Sequence, residues 1–278
     1  MQTTRLALPI VLAFSMLLGG CANYTTVRQH KELPQESQNI GSVVILPPEV
    51  AIQLITFTGE NEQETARQDA TAKALSDEAK SALAARGLHV VDFDFAKAAE
   101  THPELAFALT QCSDALKTAD KTLYGKTLVD AKDMGTFSEN IGAAANTIAE
   151  LSGADALLLI NYQGFEKSTG MVAKDIIAGA LLGVLTGQAQ VAPSQGASIE
   201  LALIAANSGN VLWVNRKAAP ALNTAVHATA MLEFPKVQWR QQPTAIAEAP
   251  QAQAEMPAAT EAAPAAIGAS DSSPAVAP

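Results

Sequence analysis

Apolar positions along the chain alternate between short continuous runs and stripes at helical spacing. Ser42-Val43-Val44-Ile45-Leu46 is a β-branched run stopped by Pro47-Pro48, the signature of a strand buried on both faces. Proline donates nothing to a ladder, so the strand is expected to end there and leave the sheet edge. Val50 to Phe57 is apolar without a period and reads as a loop or short strand. Glu60, Glu62 and Glu64 then open a helix predicted to reach Arg86, with Ala66, Ala70, Ala74, Leu75, Ala79, Ala82 and Leu83 as its apolar stripe and Gly87 as its stop. Leu88 to Phe95 is a second strand, and the helix between the two has the length of a crossover joining parallel neighbours. Apolar residues then recur every three or four positions from Ala96 to Gly135, with Pro103 starting a new helix. A further helix beginning near Ser138 carries Ile141, Ala145, Ile148 and Leu151 and ends at Gly153. Ala156 to Tyr162 is the strongest strand signal, a central strand covered on both faces. Ser198 to Leu203 and Val211 to Val214 flank the turn Asn207-Ser208-Gly209-Asn210 as a hairpin, and Pro220 to Leu232 reads as a last helix.

The stretch Gly170 to Pro193 fits neither pattern. Ile176 to Leu185 carries no charge, and Gly179, Gly183 and Gly187 are spaced by four. On a helix these glycines form one smooth groove that another backbone can approach. Each costs about 1 kcal/mol relative to alanine in a helix interior. The apolar part is about 16 Å long at 1.5 Å per residue, half of a hydrocarbon core. It is too short to span a bilayer and is expected to dip into a membrane, pack between subunits or pack onto its own domain.

Both ends differ from the middle. Arg5 precedes an apolar run from Leu6 to Leu18 and then Gly19-Gly20-Cys21, the layout of a secretory signal. Leu-Gly-Gly-Cys resembles the lipobox of bacterial lipoproteins. That resemblance implies cleavage between Gly20 and Cys21, with a diacylglycerol thioether and an N-acyl chain on Cys21 and no other cofactor. Ala22 follows, where the family uses Asp for inner-membrane retention, so the implied address is the periplasmic face of the outer membrane. Two or more hydrophobic signals make such an anchor stable. Residues 21–39 are polar and read as a tether, with a reach of roughly 60 Å if extended. From 241 to 278 the chain is Pro/Ala-rich, with Pro243, Pro250, Pro257 and Pro264 seven apart and no aromatic or basic residue. Proline once in every seven residues, about two helical turns, excludes a coiled coil, and this tail is expected to be disordered.

Composition narrows the chemistry. Eighteen Lys and Arg stand against 28 Asp and Glu, a net charge of −10. Loss of Arg5 with the signal leaves 17 against 28, or −11. That balance opposes nucleic-acid binding and electrostatic adhesion to anionic lipid. With Cys21 committed to lipid, Cys112 has no partner for a disulfide; Leu105, Leu109, Leu116 and Leu123 around it predict a buried small hydrophobe. Asp120-Lys121-Thr122-Leu123-Tyr124-Gly125-Lys126-Thr127 ends like a phosphate-binding loop, but it has Asp120 at the first glycine and follows a helix instead of a strand. The four histidines His30, His89, His102 and His227 are dispersed, without ligand spacing. His89 reads as a polar edge group, His227 as a border residue without a partner, and Trp213 as a core or groove residue. No His-Glu-x-x-His, Gly-x-Ser-x-Gly or Cys-x-x-Cys motif is present, which leaves a periplasmic hydrolase assembled from distant residues as a minor reading.

The ordered set of lipobox, strand ending Leu46-Pro47-Pro48, Gly87-Leu88-His89-Val90-Val91, Gly153-Ala154-Asp155-Ala156-Leu157-Leu158-Leu159-Ile160 and Asn207-Ser208-Gly209-Asn210-Val211-Leu212-Trp213 resembles envelope lipoproteins that share the fold of the TolB amino-terminal domain. CsgG-like and PelC-like lipoproteins and activators of peptidoglycan synthases belong to that group. The resemblance runs from about Gly41 to Asn215 and implies an α/β domain over residues 40–240, a mixed sheet with helices on both faces, here with a helical insert from Ala96 to Ser138. It also implies a non-enzymatic, often ring-forming accessory of envelope secretion, export or assembly, and it gives Gly179, Gly183 and Gly187 an outward-facing oligomer or membrane contact. A monomeric regulator of a cell-wall synthase, with the tail as spacer, is the alternative.

Overall fold

The computed structural model describes residues 25–57, 61–124, 135–186, 192–222 and 225–241. All of them fall in one compact unit, Met1–Gln242. The signal, Cys21 and all of the tail but Gln241 lie outside the described residues.

Among the described residues the chain builds one nine-stranded mixed sheet. Its centre is β7 (Ala156–Lys167), the run read from sequence as the central strand. Strand β8 (Gln195–Ala205) pairs antiparallel along nearly all of one edge of β7, and β9 (Val211–Ala219) pairs antiparallel with β8. The other edge of β7 takes two strands in succession. β2 (Ser42–Ile45) runs parallel to it from Ala156 to Leu158, and β3 (Glu49–Ile55) runs parallel from Asn161 to Lys167. Pro47-Pro48 therefore interrupts the ladder without turning the chain off the sheet edge. An extended proline still follows a strand's path and forfeits only its N–H. Beyond β2 lies β5 (His89–Val91), parallel to it, as the crossover reading requires.

The helix before β5 is α2 (Thr65–Ala84). It starts later than the acidic run suggests, because Asn61–Gln63 forms β4, antiparallel to β3. Leu75, Ala79 and Leu83 of α2 pack with Leu158, Ile160, Tyr162, Leu203 and Trp213 on one sheet face. Helix α7 (Ala225–Leu232) adds Ala230 and Met231 there, and Phe234 and Trp239 close that core. The opposite face is covered by α4 (Pro103–Tyr124) and α5 (Ala144–Ser152), with Leu105, Ala108, Cys112 and Ile148 against Val44, Leu157, Ala202 and Val214. The alternation along β7 sends even-numbered residues to the first core and odd-numbered ones to the second. The molecule is thus α/β, a mixed sheet with helices on both faces.

Helix α3 (Phe95–Thr101) precedes α4 and starts at Asp94, whose carboxylate accepts from Lys97 N at 3.0 Å. Asp94 is a helix cap, so the strand read from Leu88 to Phe95 is cut back to His89–Val91. Thr136–Phe137 is a two-residue strand, β6. Helix α5 begins at Ala144, since Asn140 and Ile141 are held by the β8–β9 turn, where Ile141 N donates to Gly209 O at 2.9 Å. Gly153 ends α5 at φ +71°, a left-handed cap that glycine adopts without strain. Gly209 (φ +72°) makes the turn, and a Cβ there would stand 2.5 Å from Gly142 O.

The tether reading does not hold from Thr25 onward. Thr25–His30 is β1, antiparallel to β9 over five residue pairs and parallel to β6. Leu33 in the short helix α1 (Leu33–Glu36) is fully buried.

Candidate functional site

Two regions gather chemistry, and the first is the end of the sheet from which α6 (Thr169–Thr186) leaves. Strands β7 and β9 run in the same direction because each is antiparallel to β8. β3 is parallel to β7, and β1 is antiparallel to β9. The start of β1, the ends of β3, β7 and β9 and the start of β8 therefore share one end of the sheet. Ser168 N donates to Ile55 O at 2.9 Å and Val172 N to Ser168 O at 3.0 Å, which seats the first turn of α6 on β3. Lys167 Nζ lies 2.5 Å from Asp175 Oδ2, and Lys174 Nζ is 5.5 Å from the centre of the Phe57 ring. Past that turn Ile176 is 52% and Ile177 70% accessible, and Phe57, under Lys174, is 64% accessible. Gly179 and Gly183 lie on α6. Gly187, Gly20 and Cys21 lie outside the described residues.

The second region is a polar cavity of about 330 Å³ between α4 and the sheet. The ladder sets Glu49, Asn161, Glu200 and Arg216 side by side across β3, β7, β8 and β9. Arg216 Nε donates to Glu200 Oε1 at 2.7 Å, its other arm meets Asp120 of α4, and its guanidinium lies 3.9 Å from the centre of the Tyr124 ring. Burial opposes the Arg216 charge, but Glu200 and Asp120 outweigh it and raise its pKa. Ser113 Oγ donates to Glu49 Oε1 at 2.5 Å, and Lys117 Nζ approaches Glu49 at 3.4 Å. Burial, with Glu200 and Asp120 nearby, pushes the Tyr124 phenol far above its ordinary range. Cys112, fully buried behind this helix face as its leucine neighbours predict, has its thiol pushed up to about 11 by burial. Asp120 to Tyr124 are the last turn of α4, so the phosphate-loop likeness has no strand before it.

Beyond α4 lies the next row across the same face, with Ala51, Gln163 and Ala218 exposed and Ser198 half-buried. It lines a groove of about 650 Å³ with Phe165, Gly196 and Pro220.

Sequence reasoning missed three structural anchors. Asp155 Oδ2 accepts from Gly41 N (3.0 Å), Ser42 N (2.8 Å), Ser42 Oγ (2.7 Å) and an Arg240 terminal nitrogen (2.6 Å). It clamps the starts of β2 and β7 to the segment after α7. Arg28, read as tether, is 9% exposed and donates to the carbonyls of Thr122, Leu123 (2.8 Å) and Thr136 (2.7 Å), capping α4 from β1. His227 has a partner after all: fully buried, it meets Glu78 Oε2 through Nδ1 at 2.9 Å, joining α7 to α2. Burial lowers the His227 pKa against the pull of Glu78. His89 is exposed at its strand edge and Trp213 is core, as read from the sequence.

Among the described residues no three His, Cys, Asp or Glu side chains are placed to hold a metal, and no helix is long and apolar enough to cross a membrane. No protein-family model matches the chain, and no curated protein does. Solved structures that resemble it include the PelC dodecamer of Paraburkholderia phytofirmans, at 13% identity and a TM-score of 0.32 over 78% of this chain and all of that one. A lipoprotein of Neisseria meningitidis resembles it at 12% identity and a TM-score of 0.30, over 68% of this chain and 89% of that one.

Proposed function

We propose that this chain is a lipid-anchored, non-enzymatic accessory of the bacterial envelope, held on the periplasmic face of the outer membrane and working in secretion, export or assembly as several copies together. The observation that carries the reading is how soon folded structure follows the lipobox. Cys21 and the first paired residue of β1, Thr25, are four positions apart. A lipid on Cys21 therefore fixes the domain itself at a bilayer surface, within about 14 Å at 3.3–3.6 Å per residue. A freely ranging catalyst has little use for so close a hold; a module that acts where it sits requires one.

The polar cavity supports a non-catalytic role. Its carboxylates are engaged, Glu200 and Asp120 by Arg216 and Glu49 by Ser113 and Lys117. Tyr124 and Cys112 are held in their protonated forms. These are the features of a framework that joins α4 to the sheet. The open row Ala51, Gln163, Ser198 and Ala218 offers small side chains and backbone as a contact between copies.

Radiolabelled palmitate supplied to growing cells tests the reading. The full chain should incorporate label and sediment with outer membrane, and Cys21→Ser should do neither and wash out with soluble periplasmic contents. A wild-type chain that takes up no label and washes out equally freely sinks the proposal.

A further inference from the structure

Helix α6 poses a problem of uncovered surface. Of its 18 residues only Lys174 and Asp175 are charged. Asp175 is neutralised by Lys167, and Lys174 lies against the Phe57 ring. Ala173, Ile176, Ile177, Ala178 and Ala180 are all exposed, and at 100° per residue Ala173, Ile176, Ile177 and Ala180 fall within one arc of about 100°. An exposed apolar helix face is stable only when something apolar covers it. The body of the protein does not, since the seating on β3 ends with the first turn.

The ladder and the length of the amino-terminal link decide what does. Thr25 stands opposite Lys217, Lys217 opposite Ile199, and Ile199 opposite Tyr162. From that level β7 runs on through Lys167 before α6 begins, a projection of about 17 Å at 3.3 Å per residue. Cys21 departs from Thr25 at the same end of the sheet, and its reach is about 14 Å. The link is no longer than the overhang. Acyl chains on Cys21 cannot enter a bilayer lying beyond α6, so when they are inserted the helix is already at the lipid surface.

We infer that α6, together with Phe57, is a second and non-covalent membrane contact that lies in the lipid interface beside the acylated cysteine. The inference rests on the lipid anchor proposed above. Its attraction is hydrophobic, since the chain carries a net charge of −10. Ile176, Ile177 and Phe57 enter the boundary between headgroups and acyl chains, while Lys174 keeps its ammonium at headgroup level. A short lipid link and an interfacial helix together fix which end of the sheet faces the membrane.

The test uses the full chain purified from membranes and reconstituted into vesicles of phosphatidylethanolamine and phosphatidylglycerol, with and without brominated acyl chains. Ile177→Trp places a reporter on α6, and the unsubstituted chain supplies the background from buried Trp213 and Trp239. The reporter should emit at shorter wavelength in vesicles than in the soluble Cys21→Ser chain, and it should lose most of its intensity to brominated lipid. Phe107→Trp, at a position 65% exposed on α4, should be unaffected by bromine. A reporter that stays water-like in vesicle-bound, acylated protein overturns the inference. So does one that is shielded yet unquenched, which would mean that a second copy covers the helix. Mass spectrometry of the Cys21 peptide keeps the two levels apart. Unmodified Cys21 on protein that fails to float with vesicles removes the anchor, and the helix contact falls with it; acylated Cys21 with an unquenched reporter removes the helix contact alone.

Discussion

Asp155 accepts four hydrogen bonds at one oxygen, two of them from backbone amides at the start of β2. Burial disfavours its charge, but Ser42, Gly41 and Arg240 more than compensate and hold its pKa below the ordinary carboxylate value. A carboxyl depressed by folding stabilises the fold fully above its unfolded pKa, about 3.9, and that contribution is lost as pH falls through the lower folded value. Asp155→Ala is expected to cost about 3 kcal/mol at neutral pH, read from the denaturant midpoint, and to flatten the stability profile on the acid side. A variant that unfolds at the wild-type midpoint would show that the clamp is redundant. Asp155 is part of the Gly-Ala-Asp sequence that enters the central strand, yet its role was not legible there. Its partners are supplied by residues more than 80 positions away, and one-dimensional spacing carries no trace of them. Cys112, Trp213 and Gly153 were legible because burial and a positive φ are written in residue type and local period.

At the scale of elements, β7, α2 and α4 followed from the apolar pattern, and β1 did not. Its inward positions hold Arg28 and His30, 9% and 5% exposed, while Val27 at 39% faces outward. The alternation is inverted relative to a half-buried strand, so the segment reads as tether. Arg28 is tolerated inside because it completes the carbonyls of α4, and His30 because its Nδ1 accepts from Glu32 N at 3.1 Å. A chain beginning at Ile40, the domain boundary that polarity suggests, lacks β1 and leaves the edge of β9 and the end of α4 open. It should fail to give a cooperative unfolding transition, whereas a chain beginning at Ala22 should unfold as one unit. Equal cooperativity would restore the tether. The polar row Glu49–Asn161–Glu200–Arg216 was equally hidden, since four strands must be in register before its members are neighbours. By contrast, the apolar character of α6 was plain from Ile176 to Leu185, and what the fold adds is that this helix leaves at the end of the sheet where β1 starts.

For the whole molecule, the open row beyond α4 makes a prediction about mass. Ala218→Arg puts a charged side chain into the groove shared by Ala51, Gln163 and Ser198 without touching either core. If copies meet there, light scattering on detergent-extracted protein should fall from an oligomer to a single chain while the circular dichroism spectrum stays as it was; an unchanged mass would exclude this face. The position of β1 carries a mechanical consequence as well. The strand is gripped by β9 on one side and β6 on the other, and its free end is the one that leads to Cys21. With the lipid proposed for Cys21 in place, tension on that end would pull along the strand and load its ladder hydrogen bonds in shear and together, where a peeling geometry would break them one by one. An anchor attached there would meet sideways pull with the whole ladder at once.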